Sequence, residues 1–202
     1  MTGQDRLDTW VQGDPYEAYV GRWSRAVARE FLRSLRVPER REWLDVGCGT
    51  GALAQTIVEH AAPAAVVGID RSEGFVANAR RRVTDPRARF EIGDAQALPV
   101  ASGAFDAVVS GLVLNFVPEP PRMLSEMTRA TRVGGTVALY VWDYTGAMEI
   151  MRRYAVSLPE ERRDELRERI RAGMPVGPDG SIRLTARAWA ARGTEVAAQQ
   201  RG

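Results

Sequence analysis

The sequence predicts a doubly wound α/β domain, a mostly parallel sheet with helices on both faces. Three observations predict it. Short apolar runs without alternation (VVGI, AVV, TVALYV) suit strands buried on both sides. Segments of helical period separate them. A glycine-rich turn, GCGTG, joins the first of these strands to the helix that follows. The expected sheet has five parallel strands and one antiparallel C-terminal edge strand.

Taken in order, Trp23, Val27, Phe31 and Leu35 recur every four residues, a helical stripe that ends before Pro38. A strand is expected over Glu42–Val46, then the glycine turn, then a helix over Ala52–Ala62 that buries Leu53, Ile57 and Val58 before Pro63. The second strand, Ala65–Ile69, closes on Asp70, and Ser72 is placed to cap a helix carrying Phe75, Val76, Ala79 and Val83. Asp85-Pro86 breaks that helix. Strand three is Ala88–Ile92, ending at Gly93-Asp94, and strand four is Phe105–Ser110. Pro120-Pro121 opens a helix with Met123, Leu124 and Met127 inward. Gly134-Gly135 is read as its stop, with strand five over Thr136–Trp142.

Beyond Asp143 the pattern predicts two helices and a last strand in which Ile182, Leu184 and Ala186 alternate with Arg183, Thr185 and Arg187. An antiparallel edge position would keep its arginine face wet. The expected organisation is a helical lid over 1–40, a nucleotide-binding core over 41–145, and C-terminal helices with the edge strand over 146–202, in one domain.

Composition narrows the chemistry. Among 202 residues, 28 basic and 26 acidic side chains leave a net charge of +2, which is no footprint for nucleic acid. Every basic residue besides His60 is arginine, so chemistry needing a lysine Schiff base, a P-loop lysine or a Tyr-x-x-x-Lys hydride-transfer site is excluded. Cys48 is the single cysteine and admits no intramolecular disulfide. The polar N-terminus does not resemble a signal peptide, and no apolar run reaches the ~20 residues of a membrane span. The expectation is a cytoplasmic protein without membrane or nucleic-acid partners and without a metal site.

In a doubly wound sheet, ligands bind at the carboxyl ends of strands where the strand order reverses. Gly47, Gly49 and Gly51 stand there, and glycine lets backbone take positive φ and approach a ligand closely. Asp70 ends the second strand nineteen residues after Gly51, where a carboxylate accepts hydrogen bonds from ribose hydroxyls. This combination points to a nucleotide-type ligand. The dinucleotide spacing Gly-x-Gly-x-x-Gly, counted from Gly47, reaches Ala52 at its third position, which does not decide between cofactors. Asp45, directly before the turn, and Asp94, ending strand three, are further acidic features.

Read in sequence, WLDVGCGTG, VVGIDRS, FEIGDAQALPVASGAFDAVVSGLVLNFVPEP and RVGGTVALYVWDY resemble the successive motifs of class I S-adenosylmethionine-dependent methyltransferases. Among these the ubiquinone/menaquinone-biosynthesis-like small-molecule enzymes are the most similar group, collinear from Tyr19 to Tyr144. The resemblance implies a Rossmann-like fold, S-adenosyl-L-methionine as cofactor and a small-molecule acceptor. It places Gly47, Gly49 and Thr50 along the methionine moiety, and Asp70 on the ribose with Arg71 beside it. Asp94 and Ala95 would meet the adenine, and Ser110 and Leu112 would flank the methionine and methyl group.

Each position has a plainer reading. Asp45 orients the turn, Thr50 caps a helix, Phe75 fills core or lies on the adenine face, Cys48 is small enough for a tight turn, and Arg80-Arg81-Arg82 is a solvated helix face. His60 lies at the far end of its helix, away from the ligand edge. Asn115, Asp143 and Tyr144 are the polar side chains that strand ends should bring near the acceptor, with Tyr19 and Trp23 from the lid. A chain lacking a well-placed base suits an acceptor that ionises easily or arrives as a neutral amine.

Measured against the resembled family, the C-terminal region is expected to be shortened, without the hairpin partner of the last strand. That leaves three readings: methyl transfer to a small molecule, binding of S-adenosylmethionine or its demethylated product without catalysis, and a nicotinamide-dependent oxidoreductase. A homodimer is among the assemblies the sequence allows.

Overall fold

The computed structural model describes residues 22–143 and 188–196, apart from the side chains of Arg22 and Trp23. The chain divides into two units, Met1–Val141 with Ala190–Gly202, and Trp142–Trp189. The first is described here.

Helix α1 (Arg22–Leu35) precedes β1 (Glu42–Val46), α2 (Ala52–His60), β2 (Ala65–Asp70), α3 (Glu73–Arg82), β3 (Ala88–Ile92) and β4 (Phe105–Gly111). A short 3-10 turn (Leu114–Phe116), α4 (Pro120–Ala130), β5 (Thr131–Trp142) and β6 (Ala188–Thr194) complete the described elements. One sheet runs in the order β3-β2-β1-β4-β5-β6. Strands β1 to β5 are parallel, and β6 is antiparallel at the edge. The order reverses between β1 and β4, so the crevice opens at the tip of β1. Right-handed crossovers set α2 and α3 on one face and α4 on the other.

Hydrophobic burial explains this layering. Leu44 and Val46 of β1, Val67 and Ile69 of β2 and Val108 of β4 form one core with Met123 and Met127 of α4. Both methionines are fully buried, each contributing roughly 1.5–3 kcal/mol by removal from water. The alternate residues of β1 turn to the other face, where Trp43 is buried. Helix α1 lies against α2, and its Phe31 ring meets Tyr140 of β5 at 4.7 Å. Ser72 caps α3 as expected, accepting the Phe75 N–H at 3.3 Å.

Three expectations need correction. Leu124 is 37% exposed, because Met123, Met127 and Ala130 already make the buried stripe and Leu124 projects about 100° away from Met123. Arg80 is no free solvated side chain, since its Nε and Nη2 donate to the Phe90 carbonyl at 3.0 and 2.6 Å, tying α3 to β3. Strand β5 begins at Thr131, ahead of the glycine pair. Gly134, at φ 80°, donates to the Glu195 carbonyl at 2.8 Å, while the Glu195 N–H donates to the Gly135 carbonyl at 3.0 Å. Two residues thus oppose one, the pattern of a bulge that needs left-handed backbone, so the glycines bend a strand instead of ending a helix. The edge strand is present as expected and is described over Ala188–Thr194, while Ile182–Arg187, where the sequence places it, lies outside the described residues.

Candidate cofactor site

The turn after β1 is held open by backbone geometry that only glycine adopts cheaply. Gly47, Gly49 and Gly51 have φ of 73°, 52° and 86°. Gly47 and Cys48 both donate to the Ile69 carbonyl, at 2.7 and 3.0 Å, which pins the turn to the tip of β2. The glycines differ in what a side chain would meet. A Cβ at Gly47 would stand 2.5 Å from a Val113 methyl, and one at Gly51 3.0 Å from Val83. At Gly49 a Cβ would meet none of the described residues within 4 Å. The turn is therefore packed from behind and open in front.

Asp70 completes it. Its Oδ2 accepts the Gly49 N–H at 2.9 Å and its Oδ1 accepts the Ser72 N–H at 2.9 Å. One carboxylate joins the turn after β1 to the cap of α3. Each oxygen keeps a lone pair for a further donor. Burial raises the Asp70 pKa, while the Ser72 and Gly49 N–H groups and the charge of Arg71 pull it down.

Asp45 lies beneath the turn, 1% exposed, with neither carboxylate oxygen hydrogen-bonded. Burial pushes its pKa up to about 7, and the negative charge of Asp70 adds to the rise. The Ala54 N–H opposes the shift without reaching hydrogen-bond geometry. Sequence reasoning treated Asp45 as an orienting residue. Its unsatisfied burial is a property of the packed sheet, and the only signal in the sequence was a charge inside an apolar strand.

The other expected residues divide by exposure. Thr50 is buried and Arg71 exposed. Asp94 is exposed at the tip of β3, its Oδ1 accepting the Gln96 N–H at 2.9 Å, and Ala95 is half-buried against the core. Ser110 is 1% exposed, and its hydroxyl donates to the Val46 carbonyl at 2.7 Å, a strut between β4 and β1. Leu112 takes φ 64° and donates its N–H to the Tyr140 carbonyl at 2.8 Å. Asn115 is exposed in the 3-10 turn, and Asp143 follows β5 in the chain. Tyr19, Tyr144 and the side chain of Trp23 lie outside the described residues.

Two further side chains bear on chemistry. Cys48 is buried, and burial drives its thiol pKa upward, the opposite of what a nucleophile needs. His60 is exposed at the end of α2, about 12 Å along that helix from the turn. Among the described residues no three His, Cys, Asp or Glu side chains gather as a metal site. No described helix is long and apolar enough to cross a membrane.

A cationic nucleoside fits this arrangement. A buried carboxylate, Asp45, and a half-buried one, Asp70, stand behind a glycine turn whose front is open among the described residues, and lone pairs of Asp70 remain for hydroxyl donors.

Comparison with known proteins agrees. Residues 44–139 match the family model described as "Methyltransferase domain". The chain is 33% identical over 135 residues to trans-aconitate 2-methyltransferase of Deinococcus radiodurans, covering 66% of this chain and 49% of that protein. It is 35% identical over 121 residues to demethylmenaquinone methyltransferase of Symbiobacterium thermophilum, covering 57% and 48%. The chain thus spans about half the length of the curated relatives it matches. A solved structure of the complex between the Haloferax volcanii Trm112 methyltransferase activator and a methyltransferase superposes with a TM-score of 0.67 at 23% identity, over 87% of this chain and 79% of that one. With fold and glycine turn in agreement, residues 44–139 match a methyltransferase domain, and the cofactor that such a domain implies is S-adenosylmethionine.

Proposed function

We propose that the chain transfers a methyl group from S-adenosylmethionine to a small-molecule acceptor at the carboxyl edge of the sheet. The observation that carries the reading is the Asp70 clamp on Gly49 with open space in front of it. Gly47, Gly49 and Thr50 would hold the methionine part. Asp70 would accept from the ribose, with Arg71 beside it, and Asp94 and Ala95 would meet the adenine. Ser110 acts through the backbone by fixing β4 on β1, and Leu112 walls the crevice near the reacting end. Two carboxylates, the buried Asp45 and the half-buried Asp70, favour a ligand bearing positive charge.

The bound cofactor supplies an already activated sulfonium methyl. The chain's part is then to align the acceptor for in-line displacement and to exclude water, which supply much of the rate. No histidine stands by the crevice to take a proton, so the acceptor is one that ionises readily or arrives neutral as an amine. Asn115, Asp143, Tyr144, Tyr19 and Trp23 are the acceptor-side candidates.

The test is release of S-adenosylhomocysteine against a panel of phenols, carboxylates, thiols and amines. Turnover with at least one class, unaffected by His60→Ala, is expected. Asp70→Ala removes charge-assisted hydrogen bonds of about 1.5–3 kcal/mol, so cofactor affinity should fall at least about tenfold. Cofactor binding without turnover on any class would replace methyl transfer by a binding role. An affinity unchanged by Asp70→Ala would remove the ribose assignment.

A further inference from the structure

At the opposite end of the sheet, where α1 and α2 finish, a cavity of about 250 Å³ is lined by Arg29, Arg33, Arg36, Trp43 and His60. Among the described residues no carboxylate lines it. We propose that this cavity is a binding site for a small multivalent oxyanion, of phosphate or carboxylate type, separate from the cofactor crevice. The inference does not depend on the methyl-transfer reading.

Three observations carry it. First, Trp43 is 1% exposed and its indole N–H has no hydrogen-bond partner. A buried tryptophan N–H normally finds an acceptor, and Trp43 is among the residues that line this cavity. Second, the arginines are not consumed by the fold. Arg33 pairs with Glu30 at 2.6 Å on the exposed surface. For Arg29 and Arg36 no partner is found among the described residues, although two guanidiniums lining one cavity repel one another without a counter-charge. Third, Arg36 sits at φ 52°, a backbone state that costs a non-glycine residue roughly 1–2 kcal/mol. That strain holds an arginine at the rim where glycine would be easier.

The plain alternative is that these cations only complement the negative carboxyl ends of α1 and α2. Other groups already serve there. Arg192 Nη1 donates to the Ser34 and Leu35 carbonyls at the end of α1, at 3.3 and 3.0 Å. Arg87 Nη2 donates to the Val58 carbonyl in α2 at 3.4 Å, and the Ala61 N–H bonds the Ile57 carbonyl. Glu59 lies 3.8 Å from His60 and Glu30 2.6 Å from Arg33, so the uncompensated lining charge comes chiefly from Arg29 and Arg36. A cavity just below the usual small-molecule range of about 300–1,000 Å³ suits a compact polyanion.

The experiment is calorimetric titration of the full chain with pyrophosphate and, separately, citrate, at matched ionic strength. Saturable binding of one per chain by either is expected, and which of the two binds tells phosphate from carboxylate. Arg29→Gln/Arg36→Gly removes two cations while relieving the strained backbone at Arg36, and should weaken binding at least about tenfold. Trp43→Phe, which deletes the indole donor, should weaken it as well. Arg81→Gln, an exposed arginine of α3, should leave it unchanged. Absence of saturable binding by both anions, or an affinity that survives the double substitution, overturns the proposal.

Discussion

Asp45 shows what one side chain can do to a whole domain. Its pKa near 7 means that the folded chain holds a proton the unfolded chain releases near pH 4. Between those values the native state binds more protons, so stability falls as pH rises and the loss is complete above 7. Asp45→Asn removes the titration. Between about pH 5 and about pH 8 its stability relative to wild type should improve by about 2–3 kcal/mol, read from urea unfolding at each pH. A constant difference across that range would show that Asp45 is charged when folded. Function gives the carboxylate a reason to stay. A bound cation lowers its pKa and offsets its burial, and the same substitution should weaken cofactor binding.

At the scale of elements, the connections between strands matter more than the strands. Arg129 of α4 is an example. Its guanidinium donates to the Val100 and Leu98 carbonyls at 2.8 and 3.0 Å and pairs with Glu126 at 2.7 Å, while Glu126 accepts the Leu98 N–H at 2.8 Å. These bonds hold the loop between β3 and β4 against α4, and Glu126 is kept below its ordinary pKa by Arg129. Arg129→Ala should lower stability by about 2 kcal/mol, measured by denaturant midpoint, because two carbonyls and a carboxylate lose their donor. Cofactor affinity should remain, since the glycine turn is untouched. A loss of affinity matching the loss of stability would mean that the anchored Leu98–Val100 stretch positions Asp94 and Ala95, the adenine-side residues of the same loop.

Much at this scale was legible in the sequence. The Ser72 cap, the buried face of α2 and the order of strands follow from local patterns that tertiary contacts reinforce. Leu124 and Gly134 were read wrongly for a shared reason. Helical period alone does not say how wide a buried stripe is, and a glycine pair looks alike in a helix stop and in a bulge until its opposing strand is known. The Arg80 bond to Phe90 likewise needs α3 and β3 side by side.

For the whole molecule, ligand binding and folding are linked. A ligand that binds only the native state at about a hundred times its dissociation constant adds about 2.7 kcal/mol. For a chain of this size each kcal/mol moves the midpoint by about 2–4 °C. S-Adenosylmethionine or S-adenosylhomocysteine should therefore raise the melting temperature by roughly 5–10 °C, followed by tryptophan fluorescence, while NAD leaves it unmoved. Stabilisation by NAD instead would return the oxidoreductase reading.

The sequence by itself determined the doubly wound class, the glycine turn at the end of β1 and the acidic residue at the end of β2, because each rests on short-range rules of periodicity and backbone freedom. Only the tertiary structure decided that Asp70 clamps Gly49, that Asp45 is buried without a partner, and that three arginines line one cavity with Trp43, whose indole N–H is orphaned. Those facts arise from residues far apart in the chain meeting where water is excluded. A linear pattern records which groups are present, and only their packing sets the desolvation and the distances that give them chemistry.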